Sequence, residues 1–100
     1  MRPTLLHALF PRCRAEILRL LFTNARSELY VSQLVRLSFL SLHTVQAELA
    51  KLYAAKLLLR RFNGYHRFYR ANPQHPLYTT LRQLALKAAS LPRPPTRKGR

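Results

Sequence analysis

Residues 30–70 read YVSQLVRLSFLSLHTVQAELAKLYAAKLLLRRFNGYHRFYR, and this stretch decides the fold. Apolar residues at helical spacing open it, the pattern breaks at 38–40, and a longer helix follows from Ser41 to about Ala55. The Ser41 hydroxyl can accept a hydrogen bond from the free backbone N–H groups of the first helical turn, so we expect Ser41 to be the N-cap. Ser32 is expected to cap the shorter helix in the same way.

The second half of the stretch predicts a β-hairpin. Two runs rich in aromatic and branched residues, 57–62 and 65–70, flank Asn63-Gly64, the strongest short hairpin signal. A tight turn at this dipeptide places Arg60 opposite Arg67, where like charges repel unless an anion such as phosphate lies between them. A helix, a break, a capped helix and a basic hairpin, in that order, are the outline of a winged helix-turn-helix.

The chain before this stretch also has a helical pattern. Residues 12–22 carry an apolar stripe at helical spacing, and Asn24 after it is suited to a left-handed cap. A shorter helical pattern precedes Pro11. The fold class that we predict is mainly α with a small β-hairpin wing.

A final helix is expected over 76–90, because proline is favoured at the first position of a helix. This helix has apolar residues on more than one side, with Leu86 opposite the main stripe, so it needs two covering surfaces. We therefore predict that it is a dimerisation helix, whose contact residues are Leu77, Tyr78, Leu81, Leu84, Ala85 and Ala88. Residues 1–90 are expected to form one domain, and 91–100, with three prolines and four cations, a disordered basic tail.

The net charge indicates a polyanionic partner. The chain has 18 Lys and Arg against 3 acidic residues, which gives a formal charge of +15 over 100 residues. Such an excess suits binding to a nucleic-acid backbone. The alternative is a basic protein held on an acidic partner, or one from an organism whose proteins are generally basic.

Composition also argues against several other classes. The chain has no Asp, and its Glu residues are far apart in sequence. Paired carboxylates for acid–base catalysis are therefore not expected, and we expect no enzyme. Cys13 is the single cysteine and the four histidines share no short spacing, so neither a metal site nor a cofactor is expected. No apolar run reaches the roughly 20 residues of a membrane span. A lone cysteine is typical of a reducing compartment, and we expect a cytoplasmic location.

Several segments carry a family resemblance over about residues 9–90. They are RAEILRLL at 14–21, LSL at 40–42, VQAEL at 45–49 followed by Leu52, YRANP at 69–73 and HPLY at 75–78 followed by Leu81-Arg82. With these segments the chain resembles the ArsR-like winged helix-turn-helix transcriptional regulators of bacteria and archaea, and more narrowly a small branch often found near nucleotidyltransferase-type proteins. The resemblance implies a DNA-binding repressor-type module, usually a homodimer, with helix 41–55 in the major groove and the hairpin as the wing.

The chain departs from the resembled pattern at several positions. Phe39 and Lys56 stand where such proteins usually have glycine, and we expect Lys56 in a left-handed cap. Ala47 and Ala50 stand on the outward face of the helix where relatives tend to have arginine.

The candidate major-groove contacts are the outward polar residues of helix 41–55, namely His43, Thr44, Gln46 and Lys51. Glutamine can pair with adenine, lysine can reach guanine, and threonine can contact either base. Ser41, at the N-terminus of the helix, is expected to meet a phosphate. The alternative for this set is a solvated helix face with an ordinary cap.

The candidate backbone contacts lie on the hairpin and are Arg60, Arg61, His66, Arg67 and Arg70. Cations of a wing neutralise phosphates or enter the minor groove. The alternative is a charged edge that prevents strand-to-strand aggregation. Phe62 and Tyr65 are expected to form a cross-strand aromatic pair, with stacking on a ligand or wedging as the alternative.

These residues together predict a DNA-binding transcriptional regulator, a repressor that binds double-stranded DNA as a homodimer. Two alternatives stay open. A nucleic-acid binder without sequence preference is favoured by Ala47 and Ala50. An adaptor or antitoxin-like protein, with a neighbouring nucleotidyltransferase as its partner, is compatible with the apolar final helix.

Overall fold

The computed structural model describes residues 5–24 and 28–90. Within these ranges the chain is mainly helical, with one small antiparallel sheet. The elements are α1 (Leu5–Leu9), α2 (Arg12–Phe22), β1 (Leu29–Tyr30), α3 (Val31–Ser38), α4 (Leu42–Ala54), β2 (Leu58–Phe62), β3 (Arg67–Ala71) and α5 (Tyr78–Ser90). The predicted mainly α fold with a hairpin is confirmed at this level. The expected basic tail, 91–100, lies outside the described residues.

The core is built around α2, which contacts all four other helices as well as β3. Its side chains Ile17, Leu21 and Phe22 are fully buried, and Leu34 of α3 and Leu49 of α4 pack into the same cluster. Burying such side chains is the main favourable contribution to folding, at about 1.5–3 kcal/mol for each large one. Among the described residues, no helix combines the length and the apolar character that crossing a bilayer requires.

Two carboxylates are buried beside this core and tie neighbouring helices to α2. Glu16 is fully buried; it accepts a hydrogen bond from Arg19 Nη2 at 2.8 Å and lies 2.5 Å from Nε2 of His7 in α1. Glu48 of α4 accepts from Arg14 Nε at 2.6 Å. Because a buried carboxylate is costly without such donors, these pairs favour one arrangement of α1 and α4 on α2.

The helix ends differ in part from the expected ones. Ser32 is not an N-cap, since α3 begins at Val31, two residues earlier than a Ser32 cap implies. Tyr30 is the N-cap, and Gln33 Oε1 accepts from the Tyr30 N–H at 3.0 Å. Helix α2 ends as expected at residue 22, but Thr23 after it is right-handed and Asn24 is not a left-handed cap.

Helix α5 begins at Tyr78, two residues later than expected. The side chain and carbonyl of His75 explain the late start: Nδ1 accepts from the Leu77 N–H at 3.0 Å and the carbonyl oxygen accepts from the Tyr78 N–H at 2.9 Å. Residues 76–77 therefore form a turn, and Pro76 precedes the helix.

Two residues with side chains take left-handed backbone conformations, one after each helix of the α3–α4 pair. Phe39 has φ 60° at the C-cap of α3, and Lys56 has φ 66° just after α4, as the sequence predicted for Lys56. After α4 the N–H of Leu57 donates to the carbonyl of Leu52 at 3.0 Å and the N–H of Lys56 to that of Tyr53 at 2.9 Å. This is the hydrogen-bond pattern of a Schellman motif, which satisfies the last carbonyls of the helix.

Strand β3 is central in the sheet, with β1 on one side and β2 on the other. In the β2–β3 hairpin Leu58 lies opposite Ala71, Arg60 opposite Tyr69 and Phe62 opposite Arg67. The predicted register, with Arg60 opposite Arg67, is wrong by two residues. Side chains alternate between the two faces of a strand, so this shift leaves each residue on the face where it was expected.

The loop between β2 and β3 is longer than the tight turn that was expected, and Asn63 accounts for it. Its Oδ1 accepts hydrogen bonds from the backbone N–H groups of Tyr65 at 2.9 Å and His66 at 2.8 Å, which fixes a loop over residues 63–66. Only Gly64 in this loop has a positive φ, 96°, whereas the expected turn needs positive φ at both central residues.

Candidate nucleic-acid interface

Helix α4 presents the predicted polar residues to solvent. Val45, Leu49 and Leu52 are buried against the core, and His43, Thr44, Gln46 and Lys51 are all exposed. At 100° per residue, the outermost direction is that of His43 and of three exposed alanines, Ala47, Ala50 and Ala54. Gln46 lies on the flank towards the hairpin, whereas Thr44 and Lys51 lie on the flank towards α2. The predicted contact residues therefore occupy a broad arc of the helix.

The N-terminus of α4 has the cap that the sequence predicted. Ser41 Oγ accepts a hydrogen bond from the Thr44 N–H at 3.2 Å and donates one to Thr44 Oγ1 at 2.8 Å. Ser41 is exposed, so the positive end of the helix dipole faces solvent beside it. This end of α4 is open to an approaching anion.

A groove lies between α4, the start of α3 and the hairpin, and we call it the α4–hairpin groove. Its volume is about 440 Å³. Its lining combines rings, hydrogen-bonding side chains and cations. The lining residues are Tyr30, Val31, Ser32, Leu42, Gln46, Ala50, Arg60, Phe62, Tyr65, His66, Arg67 and Tyr69. None of them is acidic, so the groove favours an anionic ligand.

Arg60 and Arg67 are the cations of the groove. The guanidinium of Arg60 lies over the ring of Tyr53, with Cζ 4.0 Å from the ring centroid, and this contact holds it beside α4. Arg67 is exposed opposite Phe62. Among the described residues, no carboxylate lies within ion-pair distance of either guanidinium.

Arg61 and Arg70, predicted as part of the same contact surface, lie on the other face of the hairpin and do not line the groove. Arg61 donates to Glu28 from Nη2 at 2.8 Å and from Nε at 3.2 Å, and its Cζ lies 4.5 Å from the centroid of the Phe68 ring. Hydrogen bonding by Arg61 holds the pKa of Glu28 below its ordinary value, and the charge of Arg70 acts in the same direction. Arg61 is thus already paired within the protein.

The aromatic residues of the hairpin are not arranged as predicted. Phe62 and Tyr65 do not form a cross-strand pair, because Phe62 lies opposite Arg67 and Tyr65 is in the loop. The two residues are 64% and 88% exposed. The rings that stack at this end are instead those of Tyr30 and His66, with their centroids 4.1 Å apart.

Sequence reasoning did not identify Tyr30 or Tyr53 as part of the site. Tyr53 lies seven positions after Gln46, on the same flank of α4, so helical spacing alone could have indicated it. Tyr30 reaches the groove only because β1 pairs with β3, with Tyr30 opposite Phe68. No local pattern in the sequence indicates that pairing.

The predicted dimer contacts differ in how far they are buried within their own chain. Ala85 and Ala88 are buried in the core of their own protomer, so they are not accessible to a second subunit. Tyr78, Leu81 and Leu84 are half-buried against the same core. Leu77 is exposed, as is Leu86, which was expected on the opposite side of the stripe. The participation of α5 in a dimer stays a prediction.

Cys13 is half-buried, and its Sγ donates to the backbone carbonyl of Thr44 at 3.6 Å. Burial is the main cause that raises the pKa of this thiol, and the nearby charge of Glu48 adds to it. The thiol is therefore poorly suited to act as a thiolate nucleophile. Within residues 5–24 and 28–90, no group of three or more His, Cys or Glu side chains is placed to hold a metal ion.

Comparison of the chain with family models, with curated proteins and with solved structures finds no match.

Proposed function

We propose that the protein is a DNA-binding transcriptional regulator with a winged helix-turn-helix, in which α3 and α4 are the helix-turn-helix and β2–β3 is the wing. One observation carries the proposal: Gln46 of α4 and the unpaired cations Arg60 and Arg67 line one concave surface that has no carboxylate. Helix α4 enters the major groove, and the wing lies along the adjacent backbone. The ArsR-like resemblance of the sequence supports the same assignment.

Affinity and base recognition come from different residues in this proposal. Arg60, Arg67 and the N-terminus of α4 beside Ser41 contact phosphates, which position the protein without reading sequence. Gln46 and His43 reach base edges, with Gln46 able to pair with adenine through two hydrogen bonds. Regulation follows if a bound protein occludes a promoter, and a homodimer places two α4 helices about one DNA turn apart.

Selection from random-sequence duplex DNA, followed by sequencing of the bound pool, tests the proposal. We expect a palindromic motif whose half-sites are about one helical turn apart. In the Gln46→Ala variant, preference at one base position should relax by about 1–3 kcal/mol, whereas Arg60→Ala should weaken binding to all sequences alike. Identical effects of the two substitutions would show that these roles are wrongly assigned.

Binding without sequence preference is the second candidate, and the exposed alanines of α4 favour it. Ala47, Ala50 and Ala54 occupy the outermost part of the helix, where hydrogen-bonding side chains would otherwise read bases. Tight, salt-sensitive binding with no enriched motif would support this candidate over the regulator. Absence of DNA binding at moderate salt would reject both candidate functions and leave binding to a protein partner as the remaining hypothesis.

A further inference from the structure

Phe62 and Tyr65 are the most exposed large hydrophobic residues of the groove, at 64% and 88%, and the binding of duplex DNA described above does not use their rings. Exposing apolar rings of this size to water is unfavourable, and among the described residues no aromatic ring or guanidinium stacks on either of them. They are carried at the end of a hairpin whose loop is held by two hydrogen bonds to Asn63 Oδ1. The rings are therefore presented on an ordered support.

The surroundings of these rings are cationic. Phe62 lies directly opposite Arg67 in the sheet, and Arg60 precedes Phe62 by two positions on the same face of β2. The groove that all four residues line has a volume of about 440 Å³, within the range of roughly 300–1,000 Å³ that small-ligand sites span. A ligand that suits this site has flat apolar faces joined by negative charges.

We infer that the end of the hairpin, with Phe62 and Tyr65, is a stacking site for unpaired nucleobases. A base stacks on each ring, and Arg60 and Arg67 neutralise the phosphates that join the bases. Regular duplex DNA keeps its bases stacked on one another, so the site gives preference for DNA with a bulge, a fork or a single-stranded end. The inference rests on the proposed nucleic-acid function, and it adds a substrate preference to it.

Fluorescence anisotropy with labelled probes tests the inference on the full-length chain. The probes are a blunt duplex of about 20 base pairs, two helical turns long, and the same duplex with a short bulge of unpaired thymines. The wild-type chain should bind the bulged probe more tightly. In Phe62→Leu and Tyr65→Leu, which keep an apolar side chain but remove the ring, that preference should fall about tenfold for each ring, with duplex binding retained.

Two further variants separate stacking from a general effect of the substitutions. Tyr65→Phe keeps the ring and should retain the preference, and Leu9→Ala removes an exposed apolar side chain of α1 outside the groove and should not change it. Both rings are exposed, so their loss leaves the core intact, and unchanged circular dichroism would verify this.

Each outcome decides the matter. Loss of the bulge preference in the leucine variants, with wild-type affinity for the duplex, supports a stacking site. Equal wild-type affinity for the two probes, or a preference that survives in both leucine variants, overturns the inference and leaves the proposed function intact. Failure of the wild-type chain to bind either probe would overturn both.

Discussion

The unequal environments of the hairpin arginines lead to a prediction about the salt dependence of DNA binding. Arg60 and Arg67 have no acidic partner among the described residues, whereas Arg61 is paired with Glu28. We expect Arg60 to contribute a phosphate contact and the Arg61–Glu28 pair to contribute none. The perturbations are therefore Arg60→Gln and the double substitution Arg61→Gln with Glu28→Gln.

The magnitude follows from counterion release. Each phosphate contact contributes about 0.9 to the slope of log K against log[salt], so a fourfold rise in salt weakens binding by about 3.5-fold per contact. Arg60→Gln should make the slope shallower by about 0.9. The double variant removes one cation and one anion, keeps the formal charge of +15, and should retain the wild-type slope.

The assay is a titration of labelled duplex DNA at several salt concentrations, with slopes compared among the variants. Lys87→Gln is the matched control, because Lys87 is exposed on α5 outside the groove and its loss lowers the net charge as much as Arg60→Gln does. We expect Lys87→Gln to leave the slope unchanged. A double variant as shallow as Arg60→Gln, or a Lys87→Gln variant as shallow, would refute the division of the hairpin into free and paired arginines.

Three further predictions concern stability and are measured by urea or thermal unfolding. Lys56→Gly should raise the free energy of unfolding by about 0.5–1 kcal/mol relative to Lys56→Ala, because only glycine adopts the φ of 66° without strain; equal stability of the two would contradict this. Glu48→Gln should lower the free energy of unfolding by about 1–2 kcal/mol, seen as a lower midpoint at an unchanged m-value, since Arg14 loses a charged acceptor at 2.6 Å but stays partly in contact with water. The pKa of Glu28 is lowered in the folded state, so its stabilising contribution is present above its ordinary value of 4.5 and is lost as pH falls through the lowered value. In Arg61→Gln that part of the acid dependence should disappear, and an unchanged pH profile would argue against the pairing.

Several parts of the fold could be predicted because they depend on neighbours in sequence. The α2 boundaries follow from helical spacing, and the Ser41 cap follows from its position before an apolar pattern. In each case the groups that interact are separated in sequence by no more than one or two helical turns. Local rules are then sufficient.

The hairpin register could not be predicted from the same rules. A shift of two residues keeps Leu58 and Tyr69 on the buried face, so the hydrophobic pattern is the same for both registers. The difference lies in Asn63, whose side-chain oxygen accepts two backbone N–H groups and stabilises the longer loop. Sequence alone identifies Asn63-Gly64 as a turn and does not determine which turn it forms.

The partner of the apolar stripe on α5 could not be predicted, for a different reason. The stripe was assigned to a second subunit, but two of its members, Ala85 and Ala88, are buried in the core of their own chain. Where α5 packs on α2, small side chains permit a close approach between the helices, and the larger Leu84 and Leu81 lie beside the contact. The distance between two helices is a tertiary property, so hydrophobicity along one helix does not reveal it.

The three carboxylates of the sequence leave the arginines of the groove without an acidic partner in the chain. Each is already held by a cation outside it: Glu16 by Arg19, Glu48 by Arg14 and Glu28 by Arg61. The sequence contains no further acid, so no internal partner remains for the arginines that face α4. Neutralising Arg60 and Arg67 therefore requires an anion from outside the chain, and the flat rings and helix N-terminus around them favour one built from phosphates and bases.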